Sequence, residues 1–154
     1  MAICELSELN GRLAADARLM GLDLGAKTIG VAVSDVSRTI ATARTTLRRT
    51  KLTRDIETLR ALVADEGIGG IVVGLPVNMD GSEGPRAQSA RDTAARLADG
   101  LALPVALWDE RWSTVAAERA MLDADLSRRK RARKVDRVAA AYILQGALDR
   151  LRAR

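Results

Sequence analysis

The chain reads as one α/β domain built on a mixed sheet, and three observations predict it. Three short β-type runs separated by tight turns occupy residues 18 to 47. From residue 52 onward, apolar β-type runs alternate with amphipathic helical stretches. The length of 154 residues fits one ordinary domain and leaves no room for a second of similar size.

The elements follow from local pattern. Residues 1 to 17 read as a short N-terminal extension, helical around Leu6 to Ala17 and outside the main fold, with residues 18 to 154 forming the single domain. Arg18 to Leu24 is a first strand; Thr28 to Ser34 is a second, with Ile29, Val31 and Val33 on one face; Ile40 to Leu47 is a third. Leu52, Ile56, Leu59 and Val63 recur at helical spacing and Gly67 is a natural terminator, so 52 to 66 is a helix. Ile71-Val-Val73 is a buried strand. A turn-rich stretch, Gly74 to Gly84, leads to Pro85, a favourable first helical residue, and to a helix with Ala87, Ala90, Ala94 and Leu97 along one side. Pro104 to Trp108 is the last strand, Ser113 or Thr114 caps a short helix through Leu122, and Val135 to Leu151 is the final helix. The order β-β-β-α-β-α-β-α-α implies five strands: three in an antiparallel meander, with the first, fourth and fifth parallel and joined by right-handed crossovers.

Composition narrows the chemistry. A hydrophobic fraction of 47% and a charged fraction of 29% suit a soluble globular protein, while two Trp, one Tyr and no Phe argue against base stacking on aromatic platforms. No stretch approaches the roughly 20 apolar residues of a membrane helix, and residues 1 to 17 carry scattered acids instead of an export signal, so the cytoplasm is the expected compartment. With no His and Cys4 as the single cysteine, disulfide frameworks, thiolate or imidazole zinc sites and His-assisted nucleophiles are excluded. Carboxylates, hydroxyls and lysines remain.

One carboxylate stands out. Asp23 lies inside the apolar run Met20-Gly-Leu-Asp-Leu-Gly25, where an ionised acid costs several kcal/mol, as a rough estimate, unless a cation or hydrogen bonds compensate it. A metal is one compensator; turn amides are another. The C-terminal ends of the parallel strands share one edge, where ligands of open α/β sheets gather. Asp23, the Gly74-Leu-Pro76 turn and Asp109-Glu110 all fall there. Alternation along an extended segment sends Asp109 and Glu110 to opposite sides, so at most one faces the site; Glu110 is the candidate and Asp109 the alternative. Asp136 shares a helical face with Ala139, Ala140 and Ile143, which allows it to join them, although an acid early in a helix is also explained by the helix dipole.

The formal charge of +5 is concentrated at one end. Residues 111 to 154 hold 12 Lys/Arg against 5 Asp/Glu, and six of the seven residues from Arg128 to Lys134 are cationic. Such a run is most often solvated surface, yet its charge density also suits phosphate neutralisation, and it leads into the helix bearing Asp136.

Four separated motifs carry a family resemblance: Gly21-Leu-Asp-Leu-Gly25 with Ile29-Gly-Val-Ala-Val-Ser-Asp35; Val72-Val-Gly-Leu-Pro-Val-Asn-Met-Asp-Gly81; Trp108-Asp-Glu-Arg111 with Ser113-Thr114; and Lys134-Val-Asp136 with Ala139 to Gln145. In this order, over residues 19 to 149, they resemble the YqgF family, the RuvX-type pre-16S rRNA nucleases also called Holliday junction resolvase-like. The resemblance implies an RNase H-like fold, a cytoplasmic bacterial protein that trims the 5′ end of pre-16S rRNA, and dependence on one or two Mg²⁺ or Mn²⁺ ions. It also implies that Asp23, Glu110 and Asp136 are the catalytic and metal-binding acids. RuvC-type resolvases carry an acid at the end of strand four, where this chain has Gly74, so the second acid must come from strand five. Trp112 and Arg137 depart from the family pattern without removing a proposed ligand.

Substrate contacts are expected from Lys27, Arg111, Arg128, Arg129, Lys130, Arg131 and Lys134, with Asn78 and Asp80 in a turn that either touches substrate or is purely conformational. Other classes are an ATP-binding hairpin protein, which this length disfavours, a non-catalytic nucleic-acid platform, and a resolvase acting on four-way DNA as a homodimer instead of a monomer.

Overall fold

The structure is a computed structural model that describes residues 3–112 and 128–153, and for residues 128–136 the backbone alone. Its strands are β1 (Ile3–Cys4), β2 (Arg18–Leu24), β3 (Thr28–Ser34), β4 (Ala41–Arg48), β5 (Ile68–Leu75) and β6 (Val105–Asp109). Its helices are α1 (Leu6–Leu9), α2 (Leu52–Glu66), α3 (Pro85–Leu101) and α4 (Arg128–Arg152), with 3₁₀ turns at Asn10–Arg12 and Glu110–Trp112. The helix expected from Ser113 or Thr114 to Leu122 lies outside the described residues. No described helix is long and apolar enough to cross a membrane.

The sheet order is β1-β6-β5-β2-β3-β4. β2, β3 and β4 pair antiparallel, as their short turns require, whereas β5 joins β2, β6 joins β5 and β1 joins β6 in parallel. The period-2 alternation sorts side chains to two faces. Leu19, Ala32, Val72, Ala106 and Trp108 pack under Ala140, Ile143, Leu144, Ala147 and Leu148 of α4. On the opposite face, Met20, Leu22, Ile29, Val31, Ile71 and Val73 pack with Ile56 and Leu59 of α2 and Ala94 and Leu97 of α3. The result is a three-layer α/β/α fold.

Two expectations need correction. Among the described residues the sheet has six strands, not five, and the segment from Ile3 to Leu9 does not lie outside the fold. Ile3 pairs with Val105 and Cys4 with Ala106, while Leu6 and Leu9 enter the core under α4. The two-residue β1 is too short to generate a periodic signal, and the helix expected around Leu6 to Ala17 is present but shorter, as α1 and the 3₁₀ turn that follows it. The segment is also received by glycines: a Cβ on Gly70 would meet Leu9 at 3.0 Å, and one on Gly69 would meet Ala17 at 2.7 Å. The final helix begins at Arg128, earlier than Val135, because arginine and lysine are good helix formers and a cationic run need not be a loop.

Local chemistry fixes the ends. Gly67 adopts φ 66° and donates its N–H to the Val63 carbonyl, closing α2. Pro85 opens α3 where its missing N–H has no helical partner to lose. Asp35 accepts N–H bonds from Thr39 and Ile40 and a hydroxyl bond from Ser37, which lowers its carboxyl to about 2 and shapes the β3–β4 turn. Gln145 of α4 receives the Ala41 N–H and donates to the Thr39 carbonyl, tying helix to hairpin.

Leu9→Ala tests whether the N-terminal segment is structural. Leu9 is fully buried, so the truncation should cost roughly 2–5 kcal/mol in urea unfolding. A loss under about 1 kcal/mol would mark residues 3–12 as ancillary.

Candidate active site

Asp23 occupies the second-last position of β2, opposite Gly30 of β3, and is 6% exposed. Alternation puts it on the same face as Leu19 and Gly21, the face covered by α4. Gly21 is there for a steric reason: a Cβ would lie 2.7 Å from the Leu144 Cβ and 2.9 Å from the Ala140 carbonyl. The bare backbone lets α4 settle directly on the central strand.

Glu110 follows β6 as the first residue of a 3₁₀ turn. Its Oε1 lies 2.9 Å from where a Cβ on Gly74 would stand, and the same space holds the end of Ile143. Asp23 and Gly74 each follow the Leu22–Val73 pair on adjacent parallel strands. The Glu110 carboxylate therefore sits over β5, the strand beside β2, on the same face as Asp23. The missing side chain of Gly74 makes room for Glu110 to reach in from the next strand.

Asp136 belongs to the backbone of α4, one turn before Ala140, whose carbonyl lies over Gly21. Its side chain lies outside the description, as do those of Arg128, Arg129, Lys130, Arg131 and Lys134, which occupy the first two turns of the helix. Among the described residues, no group of three or more acidic, Cys or His side chains is arranged for a metal.

Asp109 and Glu110 do part to opposite sides of the sheet. Asp109 is 8% exposed and is held by Arg111, whose backbone N–H donates at 2.9 Å and whose Nε and Nη2 donate at 3.1 and 2.7 Å. This charge-assisted fork holds the Asp109 carboxyl below its ordinary value and raises the Arg111 guanidinium. The Arg111 Nη1 also donates to the Met79 carbonyl. Arg111 is thus bound into the protein, linking the turn that carries Glu110 to the loop after β5. Sequence reading did not find this latch, because an acid and an arginine two residues apart look like ordinary loop charges.

The Asn78–Ser82 loop is organised internally. Asn78 Nδ2 donates to Ser82 Oγ, and the Ser82 N–H and hydroxyl both donate to Asp80, which lowers the Asp80 carboxyl. Gly81 adopts φ 91°, a conformation side chains avoid. These bonds give Asn78 and Asp80 a conformational role. Lys27 is exposed on the β2–β3 turn, which Arg49 braces by donating its N–H to the Lys27 carbonyl and Nη1 to the Gly25 carbonyl. No local pattern announces Arg49, since its partners lie more than twenty residues away.

Comparison with known proteins bears on this geometry. The RuvX family model, described as Holliday junction resolvase, matches residues 17–150. A protein of Paramagnetospirillum magneticum named "Putative pre-16S rRNA nuclease" is 60% identical over 97% of this chain and 96% of its own length. One of the same name from Chelativorans sp. is 54% identical over 99% of this chain and 96% of its own. Among solved structures, T. thermophilus RuvC in complex with a Holliday junction substrate superposes with a TM-score of 0.55 at 13% identity, covering 88% of this chain and 96% of RuvC, a likeness of fold.

The latch predicts a pH response. Because the folded Asp109 carboxyl titrates below its unfolded value of about 3.9, its stabilisation is present above that range and lost as pH falls through the folded value. Arg111→Gln should return the Asp109 midpoint, followed by carboxyl NMR, toward the ordinary range. Equal midpoints in variant and wild type would show that the fork has no energetic weight.

Proposed function

This chain belongs to the RuvX family and is a phosphodiester hydrolase of RNase H-like fold, and we propose that it is a divalent-metal-dependent nuclease that trims the 5′ end of pre-16S rRNA in the cytoplasm. The observation carrying this reading is the buried Asp23 carboxylate on the central strand with the Glu110 carboxylate one strand over on the same face. Two carboxylates on one face supply oxygen donors for a hard cation, and a cation held by them would offset their charge toward an approaching phosphodiester.

The donor set fits a hard ion. Carboxylate oxygens suit Mg²⁺ and Mn²⁺; the chain has no histidine to favour zinc, and its one cysteine, Cys4, is packed in the core. Asp23 and Glu110 would hold the ion from the sheet, with Asp136 of α4 as third ligand. When bound, such an ion neutralises charge at the scissile phosphate and makes water a better nucleophile. The protein's part is rigidity and position. β2 fixes and buries Asp23, and the 3₁₀ turn with its Asp109–Arg111 latch aims Glu110. Lys27 and the Arg128–Lys134 run supply cations to the phosphate backbone.

The family's description as Holliday junction resolvase favours one second reading, cleavage of four-way DNA, which requires two sites and hence a dimer.

Purified protein incubated with precursor rRNA, single-stranded DNA and a four-way junction, in Mg²⁺, Mn²⁺ or EDTA, separates these readings. Cutting of precursor rRNA that EDTA abolishes is expected, and preferential junction cutting would favour the second. Asp23→Asn should fold normally by circular dichroism yet lose roughly two orders of magnitude or more in rate, since several kcal/mol rest on the ion. Wild-type cutting by that variant would remove Asp23 from the mechanism.

Neutralising Arg128, Arg129, Lys130 and Arg131 should weaken RNA binding and flatten its dependence on salt, because fewer counterions are released. An unchanged slope in a titration from low to high salt would return this run to solvated surface.

A further inference from the structure

A cleft of about 290 Å³ opens on the side of the sheet away from α4, where Leu24, Gly25 and Ala26 at the end of β2 face the first turns of α3. Leu24 and Gly25 directly follow Asp23, so the cleft and the acidic pair share one edge of the central strand and lie on its two sides.

Two arginines and no carboxylate line it. Arg49 is preset: its Nη1 is anchored to the Gly25 carbonyl at 2.8 Å, and among the described residues its remaining guanidinium N–H groups have no acceptor. Arg86 stands in the first turn of α3, a 17-residue helix whose opening N–H groups and dipole also favour an anion. Deeper in the cleft is Thr93, 8% exposed, whose hydroxyl makes no hydrogen bond among the described residues. A buried hydroxyl without a partner is unfavourable, so Thr93 points to a ligand that supplies one. Pro85 and Ala90 add an apolar wall.

We propose that this cleft holds one nucleotide of the substrate strand beside the scissile phosphodiester. Its phosphate lies against Arg49, Arg86 and the start of α3, its sugar hydroxyls meet Thr93 and Ser89, and the nucleoside body rests on Leu24, Pro85 and Ala90. This assignment rests on the nuclease reading, because it is the path of a cleaved strand that connects the two sides of the β2 edge. A site for phosphate alone would need neither the apolar wall nor the buried hydroxyl.

The test uses the full chain in EDTA for binding and in Mg²⁺ or Mn²⁺ for cutting, with Thr93→Val and Arg86→Ala as variants and their folds verified by amide NMR spectra. Adenosine 5′-monophosphate should shift the amides of Ala26, Ser89 and Thr93 at concentrations where inorganic phosphate shifts them less. Each variant should weaken binding of a single-stranded RNA oligomer by roughly three- to tenfold, the loss of one hydrogen-bonded or charged contact. Shifts confined to other surfaces, or variants that bind RNA as the wild type does, overturn the proposal. If only free nucleotide binding responds to the substitutions, the cleft is a mononucleotide site and the strand assignment falls. The nuclease reading is scored separately. Asp23→Asn that stops cutting while Thr93→Val and Arg86→Ala bind and cut normally sinks the cleft alone. Asp23→Asn that cuts normally while both cleft variants bind RNA weakly sinks the nuclease assignment of Asp23 and leaves the cleft a nucleotide site.

Discussion

The site depends on how closely α4 lies on the sheet. Helices normally ride on the side chains of the strands beneath them, but at Gly21 and Gly74 nothing intervenes, and Leu144 and Ile143 fill the space that a Cβ would take. Close packing of this kind leaves little room for adjustment: an added methyl in a filled interior forces side chains off their rotamers or moves backbone. The helix is therefore registered against β2 and β5 at two points. That registration fixes what stands at the edge of the same face, namely Asp23 two residues beyond Gly21, Glu110 over Gly74, and the turn of α4 that carries Asp136. An apolar contact between helix and strand sets the spacing of the acids.

A second constraint acts at β6. Strand alternation alone would leave Glu110 on a loop free to turn outward, but the chain does not leave β6 freely. Asp109 is clamped by the backbone and guanidinium of Arg111 on the far side of the sheet, so Glu110 is presented to the near side. Arg111 also donates to Met79, so the loop after β5 and the turn after β6 are one hydrogen-bonded unit. A residue that reads from sequence as a phosphate contact acts within the protein as a brace.

This explains which features were legible from the chain alone. The antiparallel meander and the bounds of α2 and α3 follow from periodicity and terminators, signals confined to a few neighbouring residues. So does Asp23, because an acid within Met20–Leu24 violates a purely apolar strand pattern. β1 was not legible, since two residues carry no period, and the helix expected around Leu6 to Ala17 is shorter than its sequence suggests, as α1 and a 3₁₀ turn. The Asp109–Arg111 fork, the Arg49 brace across the β2–β3 turn, and the space above Gly74 were also hidden. Each depends on where distant segments meet, and a glycine in a strand says only that something approaches, not what. The fold was written in local pattern, whereas the aim of the site's side chains was written in tertiary contacts.

The charge distribution completes the argument for a metal-dependent reading. Asp23 is buried at the end of β2 and Glu110 is half-buried at the end of β6, while Lys27 is exposed on the β2–β3 turn and the basic run of the sequence belongs to the first turns of α4. A phosphate backbone approaching this surface is attracted at long range by the cations and repelled at short range by the acids. On the proposed reading, Asp23 and Glu110 would hold a divalent ion that reverses the second sign without altering the first, so that ion and polyanion would each lower the electrostatic cost the other meets.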